Sequence, residues 1–222
     1  MWRNWRRFRL LSKKFKKTYK KIDVLINCAG VYGPIGQFHT NNLQDWQSAV
    51  QINLLGTANV CHAFLPLMLK KKKGKIVNLS GGGAVQPFPN FSSYAVSKAA
   101  VVRFTENLAK EYKDKNIQVN AVSPGAINTL FLDQVIKAGA KKVGTEFYQK
   151  SVEQKKTGGD SPELAAELML FLCSKFAHNL TGKLIAAKWD SWKNFTKEQV
   201  EKFNQKSDFS LRRIDNKYFK EV

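Results

Sequence analysis

Short apolar runs alternate along the chain with longer stretches whose apolar residues recur at helical spacing. Asp23-Val24-Leu25-Ile26-Asn27 is the first such run, and it ends in Cys28-Ala29-Gly30. It predicts a strand buried on both faces that stops at a loop, which Gly33, Pro34 and Gly36 continue. Over 43–70 the period becomes helical, with Trp46, Val50, Leu54, Ala58, Cys61, Leu65 and Leu69 on one face. Lys70 to Lys73 close that helix, where cations suit the helix dipole. Lys75 to Ser80 predicts a second strand, which stops at Gly81-Gly82-Gly83, and a helix over 91–112 follows. Ile117 to Val122 predicts a third strand, closed by Ser123-Pro124-Gly125. Ser161 and Pro162 read as the cap and first position of a helix reaching 174. Leu184 to Ala187 predicts a fourth strand, and Thr196 with Gln199 the capping box of a last helix reaching 205. Segments 31–40 and 126–160 read as loops, and residues 210–213 carry no assignment.

Strands alternating with helices predict an α/β fold: a Rossmann-like, three-layer αβα arrangement around a parallel sheet. Ligands of such sheets sit beyond the carboxyl ends of the strands, where Asn27, Ser80 and Ser123 fall. The expected organisation is a basic amphipathic helical segment at 1–22, a catalytic domain at 23–190, and a C-terminal helix and tail at 191–222.

Charge changes the picture at the N-terminus. Of a net charge of +20, ten Lys or Arg and no acid fall within residues 1–22. Trp2, Trp5, Phe8, Leu11 and Phe15 recur among them at helical spacing. Three readings stay open: a membrane-surface helix, an organelle presequence, or the last helix of an upstream half whose stripe faces a sheet. The run straight into Asp23 without a linker favours the third. Contact with nucleic acid or membrane through this basic segment is the minor reading.

At 43% hydrophobic and 24% charged residues, the composition is that of a globular protein. The apolar stretch around Leu164 to Cys173 is broken by Glu167 and falls short of the roughly 18–20 residues of a membrane span. A cytoplasmic protein is expected. Cys28, Cys61 and Cys173 are odd in number and scattered, as are His39, His62 and His178, so neither a disulfide framework nor a metal site is expected.

Tyr94-Ala-Val-Ser-Lys98 puts a phenol and an ammonium four residues apart, on one face of a helix. The pair follows the strand ending at Ser80 by fourteen residues. Asn27-Cys28-Ala29-Gly30 and Asn53 precede it, and Pro124-Gly125 with Thr129 follows. In that order and at those spacings the set resembles the short-chain dehydrogenase/reductase family, over roughly residues 22–190. The resemblance implies an NAD(P)-dependent oxidoreductase (NAD or NADP undetermined) that moves a hydride between nicotinamide and a small carbonyl or alcohol substrate. It implies Asn53, Ser80, Tyr94 and Lys98 as catalytic residues. It implies Asn27, Ala29, Gly30, Tyr94, Lys98, Pro124, Gly125, Ile127 and Thr129 at the cofactor, and a homo-oligomer built through the helices at 43–70 and 91–112.

Reducing a carbonyl needs a proton donor within reach of the developing alkoxide. A free phenol has a pKa of about 10, which a neighbouring ammonium lowers, so Lys98 is expected to bring Tyr94 down. By the resemblance, Lys98 also holds the nicotinamide ribose, Ser80 hydrogen-bonds the substrate oxygen, and Asn53 holds a water that relays protons. The family places its serine thirteen residues before the tyrosine, which here is Gly81. Adjacent strand residues face opposite sides, so Ser80 in a regular strand is expected to point away from the site unless the glycines turn it back. Ser92 and Ser93 read as helix N-caps; Trp189 and Trp192 fall where substrate contact is expected, but large apolar residues there read more readily as packing.

The family begins with a glycine-rich turn that holds the cofactor's pyrophosphate at a helix N-terminus. Residues 1–29 contain no glycine. The resemblance therefore predicts a sheet lacking the first βαβαβ portion, with the strand at 23–27 as an exposed apolar edge. Its alternative is a truncated, catalytically inactive remnant that at most associates with a full-length relative.

Overall fold

The computed structural model describes residues 5–213, so Trp2 of the predicted stripe and the tail 214–222 lie outside it. Among the described residues four strands form: β1 (Val24–Asn27), β2 (Gly74–Leu79), β3 (Ile117–Ser123) and β4 (Leu184–Ala186). They pair in parallel in the order β1-β2-β3-β4, with Asn27 opposite Asn78, Leu79 opposite Val122 and Ser123 opposite Ala186. The helices are α1 (Trp5–Thr18), α2 (Leu43–Val50), α3 (Gly56–Lys71), α4 (Ser92–Glu111), α5 (Leu130–Ala138), α6 (Ala140–Val143), α7 (Thr145–Thr157), α8 (Pro162–Cys173) and α9 (Lys197–Phe203).

Alternation along the strands sends apolar side chains to two layers. Ile76, Ile117 and Val119 meet Cys61, Leu65 and Met68 of α3 and Leu108 of α4 on one face. Val77, Val122 and Ile185 meet Leu168 and Leu172 of α8, with Trp192 and Val200, on the other. Gly74 opens β2 because α3 crosses there: a Cβ would lie 2.5 Å from Met68 Sδ. The chain end is strapped back onto the sheet. Leu184 N–H donates to Phe209 O, Lys183 Nζ to the carbonyls of Lys206 and Asp208, and Leu211 N–H to Glu106 Oε1.

The helix expected over 43–70 is not uniform, because Gln51–Leu55 is a π-helical stretch joining α2 to α3. The wider turn carries Asn53 into the interior, where it is fully buried. By length and composition the run Leu43–Lys71 resembles a membrane span, but 56% of its apolar window is buried inside the molecule, so it is a core helix. The segment 126–160, expected as loop, folds into α5, α6 and α7. Leu132, Val135 and Val143 supply its buried face, and Gly139 (φ 79°) and Gly144 (φ 93°) break it into three.

Phe8 and Phe15 of α1 pack onto Val60, Ala63, Phe64 and Leu67 of α3 and onto Leu25 of β1. The stripe thus meets a helix and the rim of the sheet rather than an open sheet face. Its register also differs from expectation: Ser12 is buried where Leu11 is half-exposed. β1 is the edge strand, and Val24 and Ile26 face solvent because α8 covers only β2 and β3.

Phe8→Ala should lower the unfolding free energy by about 3 kcal/mol, the scale of a large-to-small core substitution. Urea denaturation measures it, and an unchanged midpoint would mean that α1 is not docked.

Candidate active site

Tyr94 and Lys98 lie on the first two turns of α4, both buried at the carboxyl ends of β1 and β2. Lys98 Nζ donates to Leu79 O at 2.8 Å and sits 5.7 Å from the centre of the Tyr94 ring. Gly81 leaves room for the phenol: a Cβ there would fall 2.1 Å from Tyr94 Oη. The place where the family resemblance expects a serine side chain is therefore filled by the tyrosine hydroxyl itself.

Ser80 N–H still donates to Val122 O at 2.8 Å, so the ladder runs one residue past β2. Gly81, not Ser80, is the position whose Cβ direction meets Tyr94 Oη, so the strand gives Ser80 the opposite parity. Ile76 packs with α3 and α4, Asn78 Nδ2 donates to Thr105 of α4, and alternation gives Ser80 the same side. Its Oγ is buried without a hydrogen-bond partner. Such an orphan hydroxyl is uncommon in a folded protein.

Asn53 makes three bonds from the π-helical stretch. Its Oδ1 accepts Val31 N–H at 2.9 Å, and its Nδ2 donates to Val31 O at 2.9 Å and to Ser97 Oγ at 2.8 Å. No direct bond joins it to Lys98, but both converge on Gly30, where a Cβ would meet Asn53 Oδ1 and Lys98 Nζ at 3.4 Å each. Asn27 turns inward instead, donating to Asn78 Oδ1 at 2.8 Å and to Cys61 Sγ. It ties β1 to β2 and α3 rather than facing the strand ends. Ala29 lines a small apolar cleft of about 160 Å³ between α1, β1 and α3, together with Phe8, Leu11 and Ile26.

The loop from Pro124 to Thr129 is held from behind. Gly125 adopts φ 94°, Ala126 N–H donates to Asp160 Oδ2, and Gln154 Nε2 donates to Ala126 O. Asp160 also pairs with Lys188 at 2.6 Å. Thr129 caps α5 by accepting Phe131 N–H, and Ile127 packs against the α8 core. Ser92 and Ser93 are not N-caps. Phe91 holds the cap position, Ser92 Oγ accepts from Trp46, and Ser93 Oγ donates to Tyr32 O. Trp192 is buried and donates to Ala187 O, whereas Trp189 is exposed beneath Lys188.

Burial dominates the electrostatics. It pushes the Lys98 ammonium down to about 8, against a smaller upward pull from Cys28. Burial, and secondarily the Tyr32 phenol, raises Tyr94 above its ordinary value. The expectation that Lys98 lowers Tyr94 is corrected here: at this separation the loss of solvent outweighs the ammonium's attraction for the phenolate. Tyr32, pushed up to about 12 by burial, was not foreseen at the site. Neither were Ser97, Asp160 and Phe131. Ser97 alone carried a signal, being one helical turn past Tyr94.

A parallel αβα sheet with a buried Tyr/Lys pair and an unpartnered serine at its strand ends defines a nucleotide-dependent oxidoreductase architecture. The family described as enoyl-(acyl carrier protein) reductase matches residues 4–188. The chain belongs to the short-chain dehydrogenase/reductase family and falls in its class of NAD(P)-dependent oxidoreductases. It is 35% identical over 179 residues to a 3-oxoacyl-[acyl-carrier-protein] reductase of Aquifex aeolicus, covering 79% of this chain and 68% of that one. It is 33% identical over 164 residues to dehydrogenase/reductase SDR family member 4 of Sus scrofa, covering 74% and 57%. The chain thus spans roughly three-fifths to two-thirds of these relatives. Among solved structures, NAD+-bound xylitol dehydrogenase matches with a TM-score of 0.75 at 25% identity, over 83% of this chain and 75% of that one. An actinorhodin polyketide ketoreductase with NADPH also gives 0.75 at 25%, over 88% and 76%.

The residues fit one end of a nicotinamide cofactor. Lys98, Gly30 and the Gly125 loop surround the strand ends where the orphan Ser80 hydroxyl lies. The pyrophosphate end is not matched among the described residues, since the flank of β1 presents the apolar cleft and no glycine-rich turn.

Gly81→Ala should destabilise the fold by pressing on Tyr94 Oη. Adding Tyr94→Phe should recover part of the loss, giving a coupling above about 0.5 kcal/mol in a double-mutant cycle. Additive effects would mean that the two groups do not touch. Lys98 supplies a second test through pH. Its pKa is lower folded than unfolded, so its charge penalises the fold below about 8, and that penalty fades as pH rises towards 10.5. Wild-type stability should therefore gain on Lys98→Met across that window. A melting-temperature difference independent of pH would contradict it.

Proposed function

We propose that this chain transfers a hydride between a nicotinamide cofactor and a small carbonyl or alcohol. The observation that carries the reading is the buried Tyr94/Lys98 pair at the strand ends, with Lys98 Nζ 5.7 Å from the centre of the Tyr94 ring. The cofactor supplies the hydride. Ser80 donates a hydrogen bond to the substrate oxygen and stabilises charge as it forms there. Tyr94 gives its proton to the same oxygen. Burial keeps its phenol protonated at neutral pH, which suits the reducing direction. Lys98 holds the ribose hydroxyls and still carries its charge near pH 7. Asn53 fixes the loop that brings Gly30 beside Lys98, and Pro124, Gly125, Ile127 and Thr129 form the wall against the nicotinamide.

The substrate class follows from what the relatives share. One is a 3-oxoacyl reductase, one a xylitol dehydrogenase and one a ketoreductase, and each interconverts a carbonyl and an alcohol. The reading extends to a cytoplasmic homo-oligomer formed through α2–α3 and α4, whose outer faces expose Leu43, Leu55 and Val96. Packing of Phe8 and Phe15 on α3 supports a docked helix over a membrane-surface role for the basic segment.

The test titrates the purified chain with NADH and NADPH by fluorescence and then follows ketone reduction. Tyr94→Phe should bind cofactor within a few-fold of wild type yet lose about 100-fold or more in turnover, the scale of a missing general acid. Lys98→Ala should weaken cofactor binding as well. A Tyr94→Phe variant as active as wild type would remove the proposal.

A further inference from the structure

We propose that Tyr32 and Phe131 form an aromatic clamp that selects substrates carrying a flat apolar ring beside the reacting carbon. This rests on the oxidoreductase reading of Tyr94 as the group that meets the substrate oxygen. The Tyr32 ring stands edge-on to Tyr94, with centroids 4.8 Å apart at 80°. It stacks on Phe131 at 4.4 Å and 30°, and Phe131 in turn stands edge-on to Tyr94 at 6.0 Å and 84°. A stacked ring pair therefore lies directly against the proton donor. Phe91, Phe88 and Phe147 continue the aromatic surface behind.

The two halves of the clamp are held differently. Tyr32 is fixed. Its carbonyl accepts from Ser93, and the preceding Val31 is gripped by Asn53. Gly33, at φ 74°, leaves no space behind, since a Cβ would lie 2.6 Å from Ala49 and 2.7 Å from Ser93 Oγ. Phe131 sits on the first turn of α5, next to the exposed Leu130, on a helix bounded by Gly125 and Gly139 in left-handed conformations. Nothing lies within 4 Å of a Cβ at Gly139. Phe131 is thus the helix-borne half, and a ligand ring packs against both it and Tyr32. An aryl ring presents the face and edge that this site satisfies in its own stack, whereas a saturated ring of equal size presents neither.

The full chain without cofactor is titrated with acetophenone and with cyclohexyl methyl ketone, followed by saturation-transfer NMR. Acetophenone should bind about five-fold more tightly, the scale of a single aromatic contact. Tyr32→Phe should keep that preference and Phe131→Leu should abolish it. Equal affinities, binding of neither ketone by a chain folded by circular dichroism, or a preference that survives Phe131→Leu would each overturn the clamp. Turnover is scored separately. Selective binding without NAD(P)H-dependent reduction would remove the oxidoreductase reading and leave the clamp standing. Reduction of both ketones with equal efficiency would leave that reading and remove the clamp.

Discussion

Asn53 grips the backbone of Val31 at its N–H and its carbonyl and reaches Ser97 with its remaining donor. Three elements are joined there: the loop after β1, the helical run of α2 and α3, and helix α4. The grip sets Gly30 beside Lys98 and the Tyr32 ring against Tyr94. It requires the π-helical stretch, because an unbroken α-helix would carry Asn53 along a different line. Removing the side chain would strand two buried backbone groups at about 1–3 kcal/mol each, so the site and part of the fold share one residue.

Once α4 is placed, burial and charge compete at its N-terminal end. Lys98 needs its charge to hold a ribose, yet the layer that positions it also strips away its water, leaving Leu79 O as its hydrogen-bond partner. Tyr94 meets the same loss of solvent with the opposite result, since desolvation favours the neutral phenol. The site at rest therefore holds a protonated acid beside an ammonium of reduced basicity. Ser80 adds a buried hydroxyl without a hydrogen-bond partner just past β2.

Much of this was legible in the sequence, and the parts that were not share a cause. The four strands announce themselves as apolar runs bounded by glycine, and the Tyr94/Lys98 pair by its spacing on one helix. Ser80 keeps the parity of Ile76 and Asn78, while Gly81 takes the place against the Tyr94 hydroxyl, which leaves the phenol room that a serine there would fill. Asn27 carries the right motif but spends its amide on Asn78 and Cys61, a partnership that sequence spacing cannot show. The α5–α7 segment was read as loop because Gly139, Gly144 and Gly158 punctuate it, although Phe131, Leu132, Val135 and Ala138 keep a helical period between them. Asp160, which latches Ala126 from thirty-four residues away, has no local signature at all.

The edge at β1 gives the clearest measure of how independently the two ends of a cofactor site are built. The surroundings of Lys98 and Gly125 come from β2, β3, α4 and the loop held by Asp160, with Gly30 of the loop after β1 beside Lys98. None of these depends on what flanks β1 on its other side. There the described chain places α1, whose phenylalanines close onto α3 and leave Val24 and Ile26 open to solvent. The apolar lining of the cleft at that flank suits hydrocarbon, not phosphate.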